Sequence, residues 1–171
     1  MTAGVLVVDK PRGITSFDAV QAVGRILKER KCGHAGTLDP MATGVLPVCV
    51  GAATKIAGYL TEEEKEYEAA FAFGVATDTG DATGKPVEDR PGATATEGAV
   101  AEALAALVGT FEQVPPAYSA VKVGGVRSYT LARKGMEVPL AARRVTVREA
   151  RLLSIGPDRF RAFLAVSKGF Y

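Results

Sequence analysis

The sequence predicts an α+β fold, a layer of strands with helices placed irregularly among them. Three observations carry that prediction. Short runs rich in β-branched and aliphatic residues occur at 5–8, 45–50 and 160–166, and two stretches with helical apolar spacing lie between them. These elements do not alternate as a regular βαβ array would, and no internal repeat or low-complexity tract is visible. At 171 residues, 47% of them apolar and 23% charged, the chain has the size and composition of one domain around one core.

The elements follow in order. Residues 5–8 form a strand that Asp9-Lys10-Pro11-Arg12-Gly13 ends, because proline and glycine interrupt the extended run. Thr15 with Asp18 three positions on has the form of a capping box; Ala19, Val20, Val23, Ile26 and Leu27 then recur at helical spacing as far as Lys28-Glu29-Arg30-Lys31. Residues 33–44 hold three glycines and a proline with no clean period, so they read as an ordered loop before the strand at 45–50. A short helix is expected near 52–60, and Tyr67, Ala69, Phe71 and Phe73 alternate as in a half-buried strand over 65–73. Residues 77–84 are turn chemistry throughout. Thr94 with Glu97 makes a second possible capping box, followed by Val100, Leu104, Leu107 and Val108 on a helix ending at Gly109. Residues 114–139 are a basic insertion marked by glycine and proline, with Tyr118 and Tyr129, and strands at 145–147 and 160–166 close the chain.

Composition removes several function classes. The longest mostly apolar stretch, 44–53, is far short of the ~20 residues a membrane span needs. The first residues have no basic region ahead of their apolar run, so they do not form a secretory signal, and a cytoplasmic protein is expected. Cys32 and Cys49 stand 17 positions apart without a Cys-x-x-Cys motif, and His34 is the one histidine, which leaves too few soft ligands for a usual zinc or copper site. Residues 80–85 are one residue short between the glycines for a phosphate-binding P-loop. Charge is segregated along the chain. Residues 1–60 carry seven basic and four acidic side chains, residues 61–112 three and twelve, and residues 113–171 eleven and three. Basic ends around an acidic middle suit a polyanion lying across the basic surfaces, although a solvated charge mosaic has the same count.

Taken singly, the candidate residues each have a structural reading. Asp39 stands among glycines, where backbone freedom can present a carboxylate to a ligand, yet Asp39-Pro40 is also the form of a helix N-cap and first helical residue. His34 alone is compatible with a loop histidine bonded to backbone, and Tyr67 alone with a strand aromatic. Arg143, Arg144, Arg148 and Arg151 are compatible with a solvated strand face. Asp78-Thr79-Gly80 imitates an aspartic-protease motif but sits in a run of turn residues.

Taken together, they change meaning. Val-Val-Asp9-Lys10-Pro11-Arg12-Gly13-Ile-Thr-Ser16, Gly33-His34-Ala35-Gly36-Thr37-Leu38-Asp39-Pro40-Met41-Ala42-Thr43-Gly44, Lys65-Glu66-Tyr67 and Thr77-Asp78-Thr79-Gly80-Asp81 come in this order. They continue in Val114-Pro115-Pro116-Ala117-Tyr118-Ser119-Ala120-Val121-Lys122, Arg133-Lys134-Gly135 and Ser167-Lys168-Gly169-Phe170-Tyr171. In order and spacing these motifs closely resemble the TruB-type tRNA pseudouridine synthases, and the resemblance spans essentially the whole chain. It implies the pseudouridine-synthase fold, a mixed, largely antiparallel sheet flanked by helices, with residues 1–171 as its catalytic domain.

Residue by residue, the resemblance implies that Asp39 is the nucleophile, that His34 and Tyr67 hold the flipped-out region of the RNA, and that Tyr171 lines the base pocket. Residues 114–139 correspond to the family's loop that closes over the tRNA T-loop, with Lys122, Arg127, Arg133 and Lys134 on phosphates. The implied partner is tRNA, through its T-loop and stem, with no membrane association and a monomer when full length. The reaction cleaves the N1–C1′ bond of a uridine and rejoins the base through C5; it consumes neither water nor electrons, so no cofactor and no metal are implied. A carboxylate serves it either as covalent partner or by removing a sugar proton, and the residues do not choose between these routes.

The chain departs from the family pattern in two places. The family has Cys-Ser-Lys-Gly-Thr-Tyr where this chain has Val166-Ser167-Lys168-Gly169-Phe170-Tyr171, and the family's next residues include an arginine that pairs with the aspartate, so the catalytic domain is expected to be incomplete at its C-terminal end. Two other readings stay open here: a non-catalytic RNA-binding or tRNA-folding module, and a dimeric aspartic protease built on Asp78.

Overall fold

In the computed structural model of the chain, which describes residues 3–61, 64–119, 121–132, 135–136 and 138–171, Thr15 caps the first helix as its spacing to Asp18 predicts. Strand β1 (Gly4–Lys10) leads to this cap, and helix α1 (Ser16–Leu27) follows it. The Thr15 hydroxyl accepts from the Asp18 N–H at 3.1 Å, and the Asp18 carboxylate accepts from the Thr15 N–H at 2.9 Å. The helix ends where Lys28 adopts left-handed backbone, φ 53°, and turns its N–H back to the last carbonyls.

The contacts divide the chain into two units, Met1–Glu63 and Glu64–Tyr171. In the first, β1, β2 (Cys32–His34) and β3 (Gly44–Val50) form an antiparallel sheet in the order β1-β3-β2. Leu46, Val48 and Val50 alternate along β3 and so share one face, where they meet Ala19 and Val20 of α1. A 3₁₀ helix (Gly51–Ile56) and then α2 (Ala57–Thr61) occupy the stretch where one short helix is expected. Cys32–His34 is a strand although its glycine and polar content reads as loop, because β3 supplies it with a partner.

The second unit begins with β4 (Lys65–Ala72) and a hairpin of β5 (Val75–Thr77) and β6 (Pro86–Asp89), whose connection is the turn-rich run at 77–84. Helix α3 (Glu97–Leu107) follows, capped by Thr96 and not by Thr94: the Thr96 hydroxyl accepts from the Ala99 N–H at 3.2 Å. That shift places Glu97 first in the helix, where its charge meets the positive end of the dipole. Then come β7 (Gly109–Gln113), the two-residue strands β8 (Lys122–Val123) and β9 (Val126–Arg127), helix α4 (Ser128–Ala132), β10 (Arg143–Ile155) and β11 (Arg159–Val166). Four of these form a sheet in the order β4-β11-β10-β7. Val100 and Leu104 of α3 pack on Val147, Ala162, Leu164 and Val166 of that sheet.

Every strand pairing among the described residues is antiparallel, in keeping with the expected α+β class. Where the length suggests one core, the buried apolar residues form two clusters, one in each unit. No described helix is long and apolar enough to cross a membrane.

Candidate active site

The segment 35–43 is built from its two ends inward. His34 stands opposite Val48 in the β2–β3 ladder, and the Ala35 N–H adds a bond to the Pro47 carbonyl at 2.9 Å. Gly36 then takes φ 94°, a turn that a side chain would strain, and its carbonyl lies against Nδ1 of His34. Since a carbonyl can only accept, Nδ1 is the donor in this contact. At the far end Gly44, φ 116°, returns the chain to β3.

Between them, the residues on either side of Asp39 are held from the β1–α1 connection. Ser16, buried at the start of α1, donates its hydroxyl to the Leu38 carbonyl at 3.1 Å and accepts the Leu38 N–H at 2.9 Å. The Leu38 side chain packs against the apolar cluster of this unit. On the other side, the Pro40 carbonyl accepts the Gly13 N–H at 2.7 Å and also faces the Lys10 ammonium at 3.5 Å. Lys10 is 0% exposed, and its remaining protons go to the carbonyls of Ile14 at 2.8 Å and Pro11 at 3.0 Å. Three donors thus meet three acceptors, the condition for a buried ammonium to be tolerated.

Asp39 itself is exposed, on a turn closed by the Ala42 N–H on the Asp39 carbonyl at 3.0 Å. No helix begins at Pro40, so the capping reading of Asp39-Pro40 fails; the proline instead sits second in this turn, where its fixed φ is already suited. The result is a carboxylate on the surface of a segment whose flanking backbone is anchored on both sides. Such an arrangement holds a reactive group in one place without burying it.

In the second unit, Tyr67 lies on the edge strand β4 opposite Leu164. Opposed residues share a face, so the ring is on the side that carries the apolar cluster, with 38% of the residue still exposed. Tyr171 follows β11, and its backbone is bonded to Gln113 on β7, so within this unit the two tyrosines are at opposite edges of the four-stranded sheet. Lys122 and Arg127 face each other as backbone partners in the β8–β9 hairpin. Their side chains, and Arg133 and Lys134 entirely, lie outside the described residues.

The remaining candidates keep their structural readings. Arg148 pairs with Glu64, Arg151 pairs with Glu149 at 2.8 Å and lies over the Phe163 ring, and these arginines are largely solvated. The Asp78 carboxylate accepts the Lys85 N–H at 2.8 Å across the hairpin turn. Among the described residues no group of three or more His, Cys, Asp or Glu side chains is arranged to hold a metal. Motif reading missed Lys10 and Ser16 as the anchors of the Asp39 turn. The signal for Lys10 was its phase: it shares the inward face of β1 with Val8, although its charge argued for solvent.

Comparison with known proteins places these motifs. The family model described as TruB family pseudouridylate synthase (N terminal domain) matches residues 24–171. A tRNA pseudouridine synthase B of Aromatoleum aromaticum is 49% identical over 168 residues, which is 98% of this chain and 54% of that protein. Proteins of the same name from Bacillus licheniformis and Symbiobacterium thermophilum are 48% and 51% identical, over 100% and 98% of this chain and 57% of each relative. The chain therefore spans a little over half the length of these relatives. Among solved structures, the crystal structure of a Cbf5-Nop10-Gar1 complex matches 98% of this chain and 40% of its own with a TM-score of 0.72 at 28% identity. An H/ACA RNP bound to a substrate RNA containing 2'-deoxyuridine shares the fold, with a TM-score of 0.69 at 24% identity over 98% of this chain and 39% of its own. The family model covers most of the chain, including the Asp39 turn and the ladder that supports it, and by that match the chain belongs to the TruB family of pseudouridylate synthases.

Proposed function

We propose that residues 1–171 belong to the catalytic domain of a tRNA pseudouridine synthase that converts one T-loop uridine to pseudouridine, with Asp39 as the nucleophile. The observation that carries this reading is the Asp39 turn, exposed at its tip and anchored on both sides by Ser16, Gly13 and Lys10. A carboxylate that must meet either the sugar or the base of a bound uridine needs a fixed position and an open approach, and this turn supplies both. Relatives named tRNA pseudouridine synthase B support tRNA as the substrate.

The uridine leaves its stack to be isomerised. Tyr67 offers the flipped region a ring face, His34 also holds that region, and Tyr171 lines the base pocket. Residues 114–139 close over the T-loop and stem, with Lys122, Arg127, Arg133 and Lys134 on phosphates. The enzyme works in the cytoplasm, as a monomer when full length, and needs no cofactor or metal. Incubating the full-length protein with an unmodified tRNA transcript in chelator, followed by chemical mapping, tests this. One pseudouridine in the T-loop is expected; RNA retained without any conversion favours the binding-module alternative.

A further inference from the structure

We infer that Gln113 is a positioning residue for Tyr171, fixing by its side-chain amide the backbone from which that ring projects. The inference rests on the reading that Tyr171 lines the base pocket. It starts from how the last residues run. At Val166, opposite Val147, the β11 ladder is carried one residue further: the Ser167 N–H donates to the Thr146 carbonyl at 2.8 Å, and the Ser167 hydroxyl accepts the Thr146 N–H at 2.8 Å. Gly169, φ 85°, then turns the chain, and Phe170 packs edge-on against Phe111 of β7 with ring centroids 6.5 Å apart. This brings Tyr171 to the end of β7. There the Gln113 amide donates through Nε2 to the Tyr171 carbonyl at 2.8 Å and accepts the Tyr171 N–H through Oε1 at 2.9 Å.

These are the two bonds that a paired strand residue would make, here made by a side chain. Both partners are main-chain groups of fixed polarity, so they dictate which way round the amide lies. Two bonds from one planar group hold the main-chain groups on both sides of the Tyr171 Cα, and hence set the direction in which the side chain leaves it. The ladder does not require this side chain, because Gln113 pairs with Arg143 through its backbone. Both hydrogen bonds lie at the surface and not in the core. Leucine in place of Gln113 removes donor and acceptor together at similar size. Glutamate keeps the acceptor and sets a carboxylate oxygen against the Tyr171 carbonyl.

The test is the kinetics of tRNA conversion by the full-length protein with Gln113→Leu, Gln113→Glu, Tyr171→Ala and the Gln113→Leu/Tyr171→Ala double change, alongside tRNA affinity and melting temperature. Because small misplacements in a catalytic site are costly, kcat is expected to fall about tenfold in both Gln113 variants, with affinity within about twofold and melting little changed. The double variant should be no slower than Tyr171→Ala alone, since a positioning residue has nothing left to position. Wild-type kcat in either Gln113 variant, or losses that multiply in the double variant, would overturn the inference. If the unsubstituted protein forms no pseudouridine, the functional reading itself fails; if it is active while the Gln113 variants match it, only the positioning role does.

Discussion

Lys10 shows how much a single residue type can conceal. A lysine at a strand end followed by proline reads as a solvated charge, yet its ammonium is wholly enclosed by the carbonyls of Pro11, Ile14 and Pro40. Its phase on β1 points it inward, but spacing cannot disclose the partners, because they are main-chain atoms, one of them thirty positions away. Lys10→Met keeps the stem but strands those carbonyls; it should destabilise the protein by about 1.5–3 kcal/mol, read as a shifted denaturation midpoint, and slow catalysis beyond the unfolded fraction because the Asp39 turn loosens. His34, Asp39 and Tyr67 were singled out by their motifs, whereas the anchoring of the turn by Ser16 and Lys10 shows only in the hydrogen bonds. In the role proposed for Tyr67 the ring face is the working part, so Tyr67→Ala should weaken catalysis by about 1–3 kcal/mol, the worth of one stacked base, and Tyr67→Phe should cost little. Equal small effects of both changes on rate and affinity would return Tyr67 to a packing role.

At the scale of elements, legibility followed the length of the periodic signal. The twelve residues of α1 came with a cap, an apolar stripe and a stop; the cap and the stop agree with the structure, while of the stripe Ala19, Val20 and Val23 join the apolar cluster and Ile26 and Leu27 are exposed. β5, β6 and β7 were missed because three to five residues carry too little alternation to separate a strand from a turn, and only pairing makes them strands. The α3 cap slipped by two residues because Thr94 and Thr96 both offer a hydroxyl ahead of the apolar run, and the Thr96–Ala99 bond decides between them. Thr15→Ala should cost about 1 kcal/mol of stability. The hydrogen bond from the Thr15 hydroxyl, followed by that from its backbone N–H, holds the Asp18 carboxyl below its ordinary range. Its folded value is depressed, so its contribution is present above the unfolded value of about 4 and is lost as pH falls through the folded value. Denaturation of wild type and Asp18→Asn should therefore differ at neutral pH and converge in acid. A difference that persists below the folded value would remove this carboxylate from the capping box.

For the whole molecule, charge by segment and the order of motifs pointed to RNA before any element was placed, while the division into two units had no signal in composition. Each unit has its own helix packed on its own antiparallel sheet, and a hydropathy pattern does not say which helix covers which strands. The basic residues proposed to contact phosphates give a prediction at this scale: tRNA affinity should fall steeply with salt, and each of Lys122→Ala and Arg127→Ala should lower the slope by about one without changing which uridine is converted. The central claim is that Asp39 does chemistry and does not bind. Its exposure means that Asp39→Asn should fold normally. The most direct test is a single-turnover assay on a tRNA transcript, with full-length wild-type and Asp39→Asn protein at saturating concentration and binding measured in parallel. The account predicts that wild type converts one T-loop uridine, and that Asp39→Asn binds within about threefold, since affinity is spread over many phosphate contacts, yet forms no pseudouridine. Conversion by Asp39→Asn at the wild-type rate would contradict it.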